Sequence, residues 1–440
     1  VRFWVLLSIS LAHVSALQAQ WTLPEVVQRA GEKYAGVQVS LEQAAVAAAA
    51  VQQAHIAFLP KGDFYAQLNR ATRNNVFGML MPNSSIPPIS GPVQTANAGT
   101  NVWGSATGFL VQWEPFDLGQ RSARVSTADA GRVRAERAYA RTRFEVEAGA
   151  ADSFLTILAA DETVKNAKAG VDRASSLATV AGALARAGLR PEADAARAQA
   201  ELAAAEAQAI QAEQAARLAR IAVAQLTGSR WEEVKPQAPF TARQPGSIPT
   251  TLDTHPALRE QEAALKEAEL RKHEADIAWR PRFNTQTALY ARGSGDAAQI
   301  GPHFYNWGIG FSVLFPFLDL PAIRAQQQSD KHKALTESAR LAKVTTDLNA
   351  DLDRARAALD AAQRIARTTP VQLAAARTAH EQARARYQSG LASIVEVAEA
   401  QRLLLASEID DSLARLNIWR AQLAVAAATG DLLPFLEHTK

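Results

Sequence analysis

The residue types that could carry catalysis are few, and none is spaced for it. Eight histidines are scattered singly, and none forms a His-Glu-x-x-His pattern or another ligand cluster, so no zinc centre is expected. There is no cysteine, which excludes a thiol nucleophile, a thiolate metal site, a disulfide framework and a lipidated cysteine at a mature N-terminus. The nearest approach to a phosphate cradle is Arg292-Gly293-Ser294-Gly295. It lacks the lysine of a Walker loop and reads as a loop tip. No serine elbow or pair of opposed carboxylates can be assembled. Basic and acidic residues nearly balance, 47 against 44, so there is no electrostatic footprint for nucleic acid. The expectation is a protein that is not an enzyme and needs no cofactor or metal.

The spacing that does point to a chemistry is aromatic. In Phe304–Leu320, the residues Tyr305, Trp307, Ile309, Phe311, Val313 and Phe315 fall on one face of an extended chain, and Asn306, Gly308, Gly310 and Ser312 on the other. Strand side chains alternate with period two. One face is therefore large and apolar while the other is small or polar, over about eleven residues, the length of a tilted strand crossing a bilayer. Trp103, Phe109, Val111 and Trp113 alternate in the same way with Gly104, Ala106, Gly108 and Gln112. The chemistry on offer is partition into lipid.

The two strands belong to a duplication. An ungapped shift of 202 carries Trp103 onto Tyr305, Phe109 onto Phe311, Trp113 onto Phe315, Asp117-Leu118 onto Asp319-Leu320, Gly188-Leu189 onto Gly390-Leu391, and Thr227-Gly228 onto Thr429-Gly430. Such self-similarity marks repeated architecture. Before each aromatic strand lies a weaker one, around Phe64–Leu68 and Phe283–Leu289, and before that a helical segment closed by proline, Thr22–Phe58 and His255–Trp279. The shift between these segments is 221, so the first copy holds nineteen more residues, placed here in its Gly-, Pro- and Ser-rich loop, about 73–101.

After each aromatic strand come nearly seventy residues of strong helix formers, a rod on the order of 100 Å long. Pro370 and Gly170 predict a kink or local break. Each rod ends at Gly188 or Gly390, suited to a left-handed cap, and an alanine-rich helix returns. The fold class is α+β, a duplicated helix–strand–strand–helix plan with long helical hairpins. Residues 1–19 read as a signal segment. The first repeat spans 20–228, with strands about 62–72 and 103–114 and a hairpin 118–227. A linker, 229–254, precedes the second repeat, 255–430, with strands about 282–291 and 304–316 and a hairpin 319–429; a tail follows, 431–440. No later stretch is apolar enough for a membrane helix, so a membrane-crossing chain of this kind needs a barrel.

The duplicated plan, the aromatic strands running into Pro115-Phe116-Asp117 and Phe317-Leu318-Asp319, and the turns Ala187-Gly188-Leu189 and Tyr387-Gln388-Ser389-Gly390-Leu391 resemble the TolC-type outer-membrane efflux family. The resemblance implies a homotrimer in the outer membrane, with four strands per subunit in a shared twelve-stranded transmembrane barrel and the hairpins forming a periplasmic α-barrel. It implies a passive exit duct working with a periplasmic adaptor protein and an inner-membrane transporter. Lipid would meet Trp103, Phe109, Trp113, Tyr305, Trp307, Phe311 and Phe315. The adaptor would dock at Gly188, Leu189, Gly390 and Leu391. The gate would include Glu396 and Glu399 as acidic rings, with Asp194 and Tyr387 in a hydrogen-bonded latch. Ala392 stands where that latch has an arginine, leaving Arg190 or Arg197 as substitutes. The alternative is a periplasmic helical adaptor or interaction protein, which leaves the apolar strand faces without a role.

Overall fold

The computed structural model describes residues 20–72, 101–243, 246, 251–295, 301 and 304–439. The expected signal segment, and the loop given the nineteen extra residues, lie outside them. The elements are β1 Gln20–Trp21, α1 Leu23–Lys33, α2 Ala35–Ile56, β2 Lys61–Thr72, β3 Asn101–Phe116, α3 Gln120–Arg186, α4 Glu192–Thr227, β4 Lys235–Pro236, α5 Pro256–Asp276, β5 Arg282–Gly295, β6 Phe304–Leu314, α6 Leu320–Gln388, α7 Ile394–Thr429 and α8 Leu433–His438. No described helix is long and apolar enough to cross a membrane.

The duplication is plain in the backbone. α3 and α6 run 67 and 69 residues, and α4 and α7 are each 36 residues, related by the same shift of 202. Gly188, Gly228, Gly390 and Gly430 all take positive φ, 70°, 67°, 84° and 80°. Only glycine enters that region without steric cost, which is why each long helix can stop there.

Neither Gly170 nor Pro370 interrupts its helix, so the expected local break is absent. Gly170 serves close packing instead: a Cβ there would come within 3.2 Å of the Leu405 side chain. Next to Pro370, the Thr369 hydroxyl donates to Asp411 Oδ1 on α7 at 3.1 Å, tying that turn to its neighbour.

Compactness divides the chain across the repeats. One unit contains the described residues of Val1–Ser40, Tyr139–Leu258 and Val344–Lys440; the other contains Leu41–Ala138 and Arg259–Lys343. In the first unit, the core joins α1 (Leu23, Val26, Val27, Ala30), α3 (Ala150, Phe154, Leu155, Ile157), α4 (Val223) and α7 (Trp419, Leu423, Ala426). The segment 229–254, read from sequence as a linker, contributes to this core. Its β4 pairs in parallel with β1, and Phe240 packs edge-on to Trp419 at 4.8 Å. Phe435 of the expected tail, on α8, meets the same indole at 6.1 Å. The helical segment from Thr22 is two helices, broken at Tyr34, whose backbone is extended. A capping box starts the first of them, with the Thr22 N–H donating to Glu25 at 3.0 Å.

The second unit is built on an antiparallel sheet in the order β2-β3-β5-β6. Arg292–Gly295 is not a loop tip: it continues β5, pairing with Ala106, Ser105, Gly104 and Trp103. The register places Tyr65, Gly108, Tyr290 and Asn306 in one row. A Cβ on Gly108 would overlap the Leu289 carbonyl oxygen and lie 2.5 Å from Tyr290 Cβ, so Tyr290 and the backbone of β5 fill the space a side chain would take.

Candidate functional site

The sheet separates its side chains by character. Phe64, Phe109, Leu289 and Trp307 are register partners across all four strands, and all are more than half exposed. The next rows on that face bring Val111, Thr287 and Ile309 together, then Trp113, Thr285 and Phe311. Tyr305 and Phe311 are 87% and 77% exposed, an unusual state for large apolar side chains unless something other than water covers them. Trp113 and Phe315 are also exposed, though β6 ends one residue before Phe315. Trp103 is half-buried, with the Arg70 guanidinium 5.4 Å from its ring. The opposite face buries Ala106, Leu110, Ala288 and Tyr290 against one another.

Where β3 meets α3, Asp117 is buried and acts as a helix cap. It accepts from the backbone N–H groups of Gly119 and Arg121, at 3.1 and 2.6 Å, and from Arg121 Nε at 2.9 Å. Burial pushes the Asp117 pKa upward, but these donors together hold it below the ordinary carboxylate value. The Arg121 guanidinium also lies over the Phe58 ring at 4.7 Å.

The second site is the pair of hairpin turns in the other unit. Both end in a Schellman motif. The Leu189 N–H donates to Leu184 O and the Gly188 N–H to Ala185 O; the Leu391 N–H donates to Arg386 O and the Gly390 N–H to Tyr387 O. These bonds turn Leu189 and Leu391 outward, 71% and 73% exposed. Beneath the turns Leu177, Ala181, Ala198, Tyr387, Ala392, Ile394 and Val397 form a small core.

Tyr387 is 1% exposed, and its hydroxyl faces Asp194 Oδ2 at 3.4 Å. Burial, then the Asp194 carboxylate, pushes the phenol pKa up. Of the two arginines available to stand in at Ala392, Arg190 makes the contacts. Its Nη2 donates to Tyr387 O at 2.8 Å and Ala392 O at 3.2 Å, and its guanidinium lies 4.7 Å from the Tyr387 ring centre.

Glu396 and Glu399 are exposed on the first turns of α7. Glu396 closes a capping box with Ser393: the Ser393 N–H donates to its carboxylate at 3.3 Å, and the Glu396 N–H donates to Ser393 Oγ at 3.4 Å. Glu399 faces Arg402 at 3.4 Å, while Arg402 holds Glu201 of α4 at 2.6 Å. Ser393, Arg402 and Glu201 were not picked out from sequence. The Ser-x-x-Glu spacing of the capping box was the signal available for Ser393.

The outer membrane efflux protein family matches this chain over residues 26–229 and 248–431. The pyoverdine export outer membrane protein OpmQ of Pseudomonas aeruginosa is 24% identical over 328 residues, 73% of this chain and 68% of that protein. The solved outer-membrane channel OprN superposes with a TM-score of 0.76 at 21% identity, covering 93% of this chain and 89% of its own. The Campylobacter jejuni CmeC outer membrane channel gives 0.77 at 18% identity, covering 93% and 85%. These two share the fold described above, with its four strands and paired long helices. The family match runs through both copies of the duplication, and the chain belongs to the outer membrane efflux protein family.

Proposed function

We propose that the protein is the outer-membrane exit duct of a tripartite efflux or secretion system. Three copies would close a twelve-stranded barrel, and a periplasmic adaptor and an inner-membrane transporter would supply the cargo. The observation that carries this reading is the apolar row Phe64, Phe109, Leu289 and Trp307 on a sheet with two open edges. Among the described residues β2 and β6 each pair on one side only. The apolar face suits lipid, but open edges leave N–H and C=O groups that a bilayer cannot satisfy, and four strands are too few to close alone. Repetition about a threefold axis satisfies both demands. The related OpmQ is named for pyoverdine export, but cargo choice falls to the transporter, since the duct conducts passively.

Gating is assigned to the helix turns. Glu396 and Glu399, repeated threefold, form acidic rings of the kind that select and hold cations. Asp194 and Tyr387 restrain the second turn, and the outward Leu189 and Leu391 beside Gly188 and Gly390 are the docking points for the adaptor. The purified protein should require detergent, run as a trimer and conduct in planar bilayers. Replacing Glu396 and Glu399 together by Ala should relieve block by divalent cations; an unchanged record removes both from the gate. A detergent-free, non-conducting monomer would favour the periplasmic adaptor reading instead.

A further inference from the structure

Beneath the turns, a cavity of about 160 Å³ lies between α3, α6 and α7. Leu177 and Val180 of α3, Val397 of α7 and Tyr387 of α6 give it an apolar wall. One polar side chain in that wall is left over. His380 of α6 is 7% exposed, and its Nδ1 is buried with no hydrogen-bond partner among the described residues. Burial, then the guanidiniums of Arg173 and Arg384, lower the pKa of the imidazole and keep it neutral. A neutral imidazole offers one donor and one acceptor, and either is costly to leave unmet where water is excluded. Arg173 already has its partner: it donates to the Glu408 carboxylate of α7 through two nitrogens, at 3.3 and 2.7 Å. At the rim, Arg384 and Asp172 are exposed, and neither forms an ion pair among the described residues. The rim therefore carries one charge of each sign and selects neither anions nor cations.

We propose that this cavity binds a small uncharged aromatic molecule carrying a hydroxyl group, a phenol in its simplest form. Three features fix that class. The volume is that of one ring, since an apolar cavity of about 150 Å³ takes up benzene. A hydroxyl both donates and accepts, so it meets His380 Nδ1 in either tautomer. The guanidiniums of Arg173 and Arg384 in the wall attract a π face, which an aliphatic alcohol does not offer. The bound ring touches α3, α6 and α7 at once and ties the three helices together at this level. The site depends on neither membrane insertion nor conduction, so it stands or falls apart from the duct reading.

The full chain, purified in detergent, tests it. There is no cysteine, so Ser176→Cys places a single thiol at the exposed rim, and its rate of reaction with a maleimide reads occupancy. Ser329→Cys, exposed on α6 and outside the cavity, reports any effect of the additive on the reagent or the micelle. Phenol should slow the first thiol severalfold and leave the second unchanged. At equal free concentration, toluene and cyclohexanol should protect weakly. Adding His380→Phe, which keeps a planar ring, should raise the phenol concentration for half protection about tenfold, the scale of one buried hydrogen bond. Val180→Trp fills the space instead of removing the partner and should abolish protection. Circular dichroism checks that each variant folds, and should Val180→Trp fail to fold, His380→Phe and the toluene comparison decide. No protection by phenol means that the cavity holds water only, and overturns the site. So does equal protection by toluene, protection unmoved by His380→Phe, or a rim thiol that the maleimide never reaches.

Discussion

The two copies of the repeat share one plan and bury it unequally. In α3, Ala151, Phe154 and Leu155 are fully buried; the equivalent positions in α6 are Asp353, Arg356 and Ala357, all exposed. Asp353 and Arg356 form an exposed ion pair at 3.6 Å where the first copy has alanine and phenylalanine. The return helices reverse the bias. Trp419 of α7 is 1% exposed at the centre of the core, while its counterpart in α4, Arg217, lies over the Trp231 ring at 5.3 Å. The core of that unit thus takes its outgoing helix from the first copy, while both returning helices reach it, α7 through Trp419 and α4 through Val223. Duplication set the lengths and turns of the elements, and burial then decided which copy kept its apolar residues.

The largest test of this contrast is at its centre. Phe154→Ala should cost about 3–5 kcal/mol in a denaturant titration followed by circular dichroism, the range for emptying a buried aromatic site. Arg356→Ala, at the equivalent position, should stay within about 0.5 kcal/mol. Equal losses would break the comparison.

A smaller contrast separates the strand-to-helix junctions. Asp117 is buried and bonded to Arg121, whereas Asp319 is exposed and the residue four positions on is Ile323. Asp117→Asn should cost about 2–3 kcal/mol, because it strands a buried guanidinium, and Asp319→Asn almost nothing. The Asp117 pKa is depressed in the folded protein. Its contribution should therefore be complete above the ordinary aspartate value and fade as pH falls through the folded one. The pH dependence of unfolding in Asp117→Asn, compared with wild type, reads that fading directly.

The smallest expected effect concerns His255, the N-cap of α5. Its Nδ1 accepts from the Ala257 N–H at 3.2 Å, and its Nε2 donates to Ala427 O at 3.3 Å, which fixes a neutral tautomer. Burial lowers its pKa. The stability it provides should be present above the ordinary histidine value and lost as pH falls through the lowered one. His255→Ala should cost about 1 kcal/mol near neutral pH and flatten that part of the pH profile.

Much of the architecture was legible because the demands were local. A sheet with one apolar face imposes period-two alternation, so Tyr305 to Val313 could be read as a strand from the residue list. A left-handed helix stop needs glycine, so Gly188 and Gly390 marked the turns. The core around Trp419 was not legible, since Phe240 and Phe435 sit in short segments with no periodicity, and only tertiary packing gives them a place. Arg292–Gly295 looked like a loop by composition; its pairing opposite Gly104 and Ser105 extends the strand instead. Arg190 was one of two arginines near the turns that could stand in at Ala392, and choosing between them required the contacts it makes across the turns.

The matched return helices bear on how this chain can change length. Gly188 to Gly228 and Gly390 to Gly430 enclose 36-residue helices in both copies, spans of about 54 Å each. Adding or deleting a residue in one of them would rotate every later side chain by about 100° and offset the two turns by 1.5 Å, separating Arg190 from its carbonyls. Insertions outside the helices escape that geometry, as the nineteen extra residues before the second strand of the first copy illustrate. Longer or shorter versions of these hairpins should therefore differ in both copies together, and by whole numbers of turns.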